Sequence, residues 1–485
     1  VQDWLTSQTA ARPEAVALIF RECQWTYTEL SAEVDVIAQK LAAIGIISGD
    51  KVAALLPNCA EYVFLIHALA QLGVALVPLN IRLTPSEIDW QIAHTGCRWL
   101  VCSPETQDKA SKLDRQNLAI ISTADFDEDA IAPQIQPFDV SALQAIVFTS
   151  GTTGQPKGAM LTYSNHFWSA MASAYRIGTL PDDRWLCCLP LYHVGGLSII
   201  LRCCLYGTTV VLQDGFDLGE IHQTLHAQNV TLISLVPTML HRMLDGGMKF
   251  PPSLRLILLG GAASSPDLVE RCQKLSIPVS PTYGLSEACS QVATILPRDA
   301  FRKPGSVGKP LLFSSVRVVD ENGSEQPPGA YGEVVVSGPT VMSGYYGNPE
   351  ATAKTIRDGE LYTGDIGYLD EDGDLWLVQR RSDLIVTGGE NVYPAEVEQV
   401  LEQHPAVAAA CVVGIEHPEW GQQVAAAVVL REGANLPESD LLAFSRERLA
   451  GYKQPRLIRF VSALPQTASG KVKRRAVRDL LVSGE

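Results

Sequence analysis

Over the first 260 residues, apolar and polar positions recur in a regular beat. From Thr28 to Gly45 (TELSAEVDVIAQKLAAIG) the apolar residues return every three or four positions, which predicts an amphipathic helix stopped by Gly45. Lys51–Pro57 (KVAALLP) is short and almost uniformly apolar, as a buried strand would be. Residues 60–72 predict a second helix, and 75–79 (ALVPL) the next strand. The beat returns over 207–260, where TVVL at 209–212, LISLV at 232–236 and LILL at 256–259 are strand candidates separated by helical segments. Helices alternating with fully apolar strands predict parallel sheets covered on both faces. After about residue 305 the pattern becomes β-rich, with SVRVV at 315–319 and GEVVV at 332–336, punctuated by turns at Glu321-Asn322-Gly323 and Asp372-Gly373. Beyond residue 382 a helix from Pro394 to Gln403, strands at Val407–Val413 and Val424–Leu430, and a helix over 438–449 predict a compact α+β module. The expected class is α/β. A large N-terminal domain, 1–381, would hold two parallel-type α/β sheets and a small β subdomain (about 305–381), followed by a C-terminal α+β domain, 382–485.

The length of 485 residues exceeds what one core fills, in keeping with that division. Acidic residues outnumber basic ones, 53 to 38, for a formal charge of −15. Such a field repels nucleic acid and anionic membranes, so neither is expected as a partner, and a homo-oligomer is compatible with the sequence. The chain opens on Val1 rather than Met, which reads as a trimmed start. It has no basic run followed by an apolar block and no apolar run of membrane-spanning length, so neither a targeting nor a membrane segment is expected. The eleven cysteines are scattered, without C-x-x-C or zinc-ligand spacing. Reduced thiols, and hence a cytoplasmic location, are the expectation.

Five segments carry candidate chemistry. Thr149-Ser150-Gly151-Thr152-Thr153-Gly154-Gln155-Pro156-Lys157-Gly158 follows an apolar strand candidate, 145–148. Small residues let the backbone approach a polyphosphate, their N–H and hydroxyl groups can donate to its oxygens, and Lys157 adds a cation. Taken alone the run reads more readily as a Gly-rich surface turn, and its spacing is not that of a P-loop. Tyr283-Gly284-Leu285-Ser286-Glu287 offers a carboxylate that becomes useful beside phosphates if it holds Mg²⁺; alone it is a turn with a solvated Glu. Tyr362-Thr363-Gly364-Asp365 precedes an acidic run, 370–374, that reads as a hairpin turn rather than a metal site. Arg380-Arg381-Ser382-Asp383 leads to Gly388-Gly389, and Pro465-Gln466-Thr467-Ala468-Ser469-Gly470-Lys471 lies near the C-terminus.

In this order and spacing the segments resemble the adenylate-forming superfamily of acyl-CoA synthetases, peptide adenylation domains and firefly-type luciferases, over nearly the whole chain. The resemblance implies an ATP-dependent acid–CoA ligase that forms an acyl-adenylate and then a thioester, with Mg²⁺ as cofactor and coenzyme A as co-substrate. It makes 149–158 the phosphate loop and Glu287 the metal ligand, and Tyr283 would stack on adenine. Asp365 and Arg380 would hold the ribose, offering acceptors and a donor respectively. Ser286 stands where the family usually has Thr and keeps the hydroxyl. Ser382 would be the hinge of a mobile C-terminal domain and Gly388-Gly389 would line the pantetheine tunnel. Lys471 would stabilise charge at the reacting carboxylate and α-phosphate.

The acyl pocket of that superfamily lies between segments that here are 190–198, 259–263 and 288–291. His193, Gly196, Leu197, Gly261 and Ser290 are its candidate lining, with His193 orienting the reacting carboxylate, gating the acyl pocket, or serving as a structural strand-end histidine. The runs Ser164-Asn165-His166 followed by Ser169-Ala170, Asp183-Arg184-Trp185-Leu186, Leu191–Ser198, Glu287–Gln291 and Arg380–Ile385 resemble the ligases that act on o-succinylbenzoate in menaquinone and phylloquinone biosynthesis more than those for fatty or coumaric acids. That acid has two carboxylates, so the pocket should hold polar donors for the one that does not react. A ligase for another aryl or medium-chain acid is the first alternative. An amino-acid adenylation domain should hold a carboxylate for the substrate amine soon after the 190–198 loop; Gly195-Gly196-Leu197 offers none, although Asp214 and Asp217 lie farther on. A nucleotide-binding protein without turnover would not need Lys471, Glu287 and Asp365 together.

Overall fold

A computed structural model describes residues 2–113, 117–126, 137–149, 156–262, 264–379, 384–465 and 472–483. The chain divides into two compact units. One comprises residues 1–81, 92–147 and 158–379, and the other 82–91, 148–157 and 380–485.

In the first unit the expected beat of helices and strands is present. The helix Tyr27–Ala43 is started by a capping box: the Thr26 hydroxyl accepts from Glu29 N at 3.2 Å, and Glu29 Oε2 accepts from Thr26 N at 2.8 Å. Its buried face, Leu30, Val34, Ile37 and Leu41, follows the three- and four-residue spacing. The strands Lys51–Leu55, Ala75–Pro78 and Trp99–Cys102 join Ala119–Ser122, Leu143–Thr149 and Lys157–Thr162 in a six-stranded sheet. An eight-stranded sheet runs in the order Ser290–Thr294, Val279–Leu285, Leu256–Leu259, Leu232–Leu235, Arg184–Cys187, Thr209–Leu212, Val16–Phe20, Cys23–Thr26. Its centre is parallel, whereas both edge pairs are antiparallel, so this sheet is mixed at its rims. Central strands such as Leu232–Leu235 and Leu256–Leu259 are buried along their whole length, which explains their unbroken apolar sequence. The β subdomain is an antiparallel sheet of Ser306–Gly308, Leu375–Gln379, Glu360–Leu369, Gly332–Ser337 and Ser315–Val319.

The acidic run 370–374 does form a turn. Lys303 Nζ lies 2.8, 2.7 and 2.6 Å from Asp370, Asp372 and Asp374, occupying the centre of the carboxylate cluster.

The second unit has a sheet in which Val407–His417 and Gly421–Leu430 form a long hairpin, with Leu457–Phe460 parallel to the latter strand. Val397, Leu401, Val412, Val428 and Leu441 pack on one face, and Cys411, Val413, Val477 and Leu481 on the other. Lys453, 3% exposed, bridges Glu87 and Glu396 at 2.7 Å each.

Candidate active site

The segment read as a turn, 283–287, is the end of a strand followed by a tight bend. Val279–Leu285 pairs antiparallel with Ser290–Thr294, and Ser286–Ala288 form a single 3₁₀ turn between them. Closing so short a connection forces Cys289 and Ser290 to φ of 52° and 91°, a region that residues with a Cβ rarely adopt. Opposite them a side chain at Gly284 would put its Cβ 1.7 Å from the Ser290 carbonyl oxygen, so only glycine fits. This bend presents Ser286 and Glu287 at the strand end.

Tyr283 is 1% exposed and its hydroxyl donates to Asp365 Oδ2 at 2.6 Å. In this structure the ring therefore supports Asp365 from within the core. Asp365 sits in the strand Glu360–Leu369, and its N–H donates to the Thr363 hydroxyl at 3.1 Å. That hydroxyl in turn donates to the Val334 carbonyl at 2.7 Å. Gly364, at φ 72°, donates its N–H to Glu333 Oε1 at 2.8 Å. Glu287 is half-buried, and its Oε1 accepts from the Tyr345 hydroxyl at 2.8 Å. An oxygen-only donor held by a neutral phenol suits a hard cation such as Mg²⁺, which takes few protein ligands and completes its shell with water and phosphate.

The acyl-side residues lie in the same unit. His193 occupies the N-cap position of the helix Val194–Tyr206 without a side-chain cap bond, its ring edge-on to Tyr192 at 4.8 Å. Asn58 clamps the preceding loop, donating to the Leu189 carbonyl at 3.0 Å and accepting from Leu191 N at 2.9 Å. A Cβ at Gly196 would fall 2.3 Å from the Pro190 oxygen, so this loop packs against its helix only with glycine there. Leu197 is fully buried. Gly261, at φ 79°, follows the strand Leu256–Leu259.

The sequence reading missed a buried polar cluster behind these residues. Arg202 is 2% exposed, donates to the Ser169 hydroxyl at 3.0 Å, and has no carboxylate partner among the described residues. Its Nε, the Ser198 hydroxyl one turn earlier, and His166 Nε2 are all buried without a hydrogen-bond partner. Ser169 Oγ donates to the Cys289 carbonyl at 2.7 Å, and His166 Nδ1 lies 3.3 Å from Cys289 Sγ. Burial, with Arg202 nearby, depresses the His166 pKa to about 3, and burial pulls the guanidinium pKa of Arg202 down. The available signal was one arginine inside an otherwise apolar helix, Ser198–Tyr206 (SIILRCCLY).

In the second unit, Thr149 Oγ1 donates to the Lys157 carbonyl at 3.4 Å across the mouth of the phosphate-loop candidate. Gly388 and Gly389 form the turn of the hairpin Ile385–Thr387/Glu390–Val392. Both have positive φ, 57° and 85°, as a two-residue hairpin turn demands. A Cβ at Gly388 would meet the Trp420 ring at 2.8 Å. Ser150, Gly151, Thr152, Thr153, Gly154, Arg380, Ser382 and Lys471 lie outside the described residues. No helix among the described residues is long and apolar enough to cross a membrane.

Comparison with known proteins gives consistent matches over the whole chain. The family model described as AMP-binding enzyme matches residues 5–346, and that of the AMP-binding enzyme C-terminal domain matches 396–471. A 2-succinylbenzoate–CoA ligase of Geobacillus kaustophilus is 42% identical over 487 residues, covering 100% of this chain and 98% of the relative. Among solved structures, an o-succinylbenzoate CoA synthetase of Bacillus subtilis bound with its product analogue has a TM-score of 0.94 at 38% identity, covering 100% of this chain and 98% of that one. The Bacillus subtilis enzyme in complex with its acyl-adenylate intermediate has a TM-score of 0.77 at 38% identity, with coverage of 99% and 98%.

Proposed function

Because this chain belongs to the AMP-binding enzyme family, we propose that it is an ATP-dependent ligase that joins 2-succinylbenzoate to coenzyme A through an acyl-adenylate. In the first step a carboxylate oxygen of the acid attacks the α-phosphorus of ATP and pyrophosphate leaves. In the second the coenzyme A thiolate attacks the acyl carbonyl and AMP leaves. The thiol proton goes to solvent.

The residues take the following parts. The hydroxyl and N–H groups of Thr149–Gly154, with Lys157, hold the phosphates, and Gly261, Gly284 and Ser286 line the nucleotide site. Asp365, fixed by Tyr283, accepts from the ribose hydroxyls, a role in which Arg380 would serve as donor. Glu287 would hold Mg²⁺, which when bound offsets phosphate charge. Lys471 stabilises the charge that develops as the carboxylate meets the α-phosphate. Ser382 serves as the hinge between the two half-reactions, and Gly388-Gly389 receive the pantetheine arm. Neither step needs a covalent nucleophile from the chain. Ten of its eleven thiols are wholly or partly buried, and Cys187, Cys188, Cys203, Cys204 and Cys289 have raised pKa values because of burial. The enzyme would work in the cytoplasm on diffusible substrates.

One observation carries the choice of acid. A buried guanidinium with no carboxylate beside it among the described residues is costly, and an acid bringing a second carboxylate would complete the pair. Arg202, with Ser198 and Ser290 as hydroxyl donors, is the receptor this reading assigns to that group. His193 and Leu197, at the start of the same helix, shape the pocket together with Gly196. Pyrophosphate release across a panel of acids tests this. Release should be fastest with 2-succinylbenzoate, and a preference for fatty or amino acids would refute it.

A further inference from the structure

We infer that Tyr345 is a positioning residue that aims the Glu287 carboxylate for metal–nucleotide binding and ties it to the strand leaving the phosphate loop. This rests on the proposed role of Glu287 and adds a residue that no motif contains. The Tyr345 hydroxyl donates to Glu287 Oε1 at 2.8 Å from a ring that is 4% exposed. The main chain of the same segment holds Glu287 a second time, Met342 N donating to the Glu287 carbonyl at 2.9 Å.

The segment is itself pinned from two sides. Tyr345 N donates to the Thr352 hydroxyl at 2.9 Å, and Gly344, at φ 132°, leaves room for Thr352, whose methyl a Cβ would approach to 2.8 Å. On the other side Ser343 N donates to the Met160 carbonyl at 3.0 Å, Met160 N to the Gly344 carbonyl at 2.9 Å, and Tyr346 N to the Gly158 carbonyl at 2.8 Å. Residues 343–346 thus form a strut with Gly158–Met160 on one edge and Glu287 on the other.

The choice of tyrosine has a chemical reason. A lysine or arginine would orient the carboxylate but cancel the charge a cation needs. A phenol donates one hydrogen bond, remains neutral at physiological pH, and leaves the carboxylate anionic. A single donor fixes the direction of Oε1, so the carboxylate is aimed before metal and nucleotide arrive, and less ordering remains to be done on binding.

The test is Tyr345→Phe, which keeps the ring and removes only the donor. Mn²⁺ binding in the presence of ATP, followed by electron paramagnetic resonance, gives a readout independent of turnover. We expect the Mn²⁺ dissociation constant and the Mg²⁺ concentration for half-maximal adenylation to rise on the order of tenfold, the loss of one hydrogen bond to a charged group. The KM for the acid should be unchanged. In a Glu287→Gln background the same substitution should add little, because the oriented charge is already gone. An unchanged metal dependence in Tyr345→Phe, or a full additional loss on top of Glu287→Gln, overturns the inference. If the unaltered chain bound no Mn²⁺ with ATP, the role of Glu287 would fall first and this inference with it.

Discussion

Replacing Arg202 with methionine separates a substrate-binding role from a structural one. In the free protein the guanidinium is 2% exposed, its Nε has no partner, and its one hydrogen bond among the described residues goes to Ser169. Methionine fills similar volume, removes a buried uncompensated charge and forfeits that bond. Replacing buried charges by apolar groups of similar volume ranges from neutral to about 4 kcal/mol stabilising, and the lost bond costs about 1 kcal/mol. The free variant should therefore melt within a few degrees of the parent, or above it. With substrate the sign reverses, because a carboxylate left facing methionine loses about 3–5 kcal/mol. That corresponds to a fall in kcat/KM of roughly 10²- to 10⁴-fold for 2-succinylbenzoate. An analogue whose second carboxylate is a methyl ester should bind both proteins alike. The assay is pyrophosphate release at varied acid concentration, beside thermal melts of both proteins. A variant that melts much lower yet keeps the parent's preference for diacid over ester would refute the reasoning and make Arg202 a structural residue.

Other substitutions probe the bend and the buried cluster. Gly284→Ala would set a Cβ against the Ser290 carbonyl at 1.7 Å, forcing the two strands apart beside Glu287. We expect a loss of more than about 2 kcal/mol in urea melts and adenylation near background. His166 gives the protein an acid-sensitive core. Its folded pKa of about 3 lies below the ordinary 6.5, so the unfolded chain binds the extra proton. Its contribution is complete above pH 6.5 and is lost as pH falls toward 3, at up to about 1.4 kcal/mol per pH unit. His166→Asn should flatten the pH dependence of urea stability between pH 6.5 and 5. Part of the slope should persist, because buried His67 is depressed to about 4 in the same way.

Periodic and local features were legible from the residues alone. The helix Tyr27–Ala43 carries its cap and its buried stripe in its own sequence, and the strands Thr209–Leu212, Leu232–Leu235 and Leu256–Leu259 declare their burial by being wholly apolar. The Asp-Gly turn at 372–373 was equally plain. What escaped depends on partners distant in sequence. Nothing in Val16–Phe20 says that it pairs with Thr209–Leu212, or that the outer strands of that sheet run antiparallel. Tyr283–Glu287 looks like a turn because glycine and serine interrupt it, yet Gly284 is a strand residue made necessary by the Ser290 carbonyl crossing over it. Asn165 completes the capping box that Thr162 begins for the helix Tyr163–Ile177, and only the fold shows that it also donates to the carbonyls of Pro339 and Val341. Tyr345 lies in none of the quoted segments, and Ser169 is quoted without a partner; each acquires meaning only when folding brings it to Glu287 or Cys289.

The central claim is that this chain makes an acyl-adenylate of a diacid and passes it to a thiol. Mass spectrometry of products from ATP, coenzyme A and 2-succinylbenzoate tests it most directly, with the unaltered protein and Lys471→Ala side by side. The unaltered protein should give AMP, pyrophosphate and the acyl thioester, with an acyl-adenylate accumulating when coenzyme A is withheld, and Lys471→Ala should give at least about 100-fold less adenylate. Thioester formed without any adenylate, or adenylate formed equally well without the lysine, would contradict it.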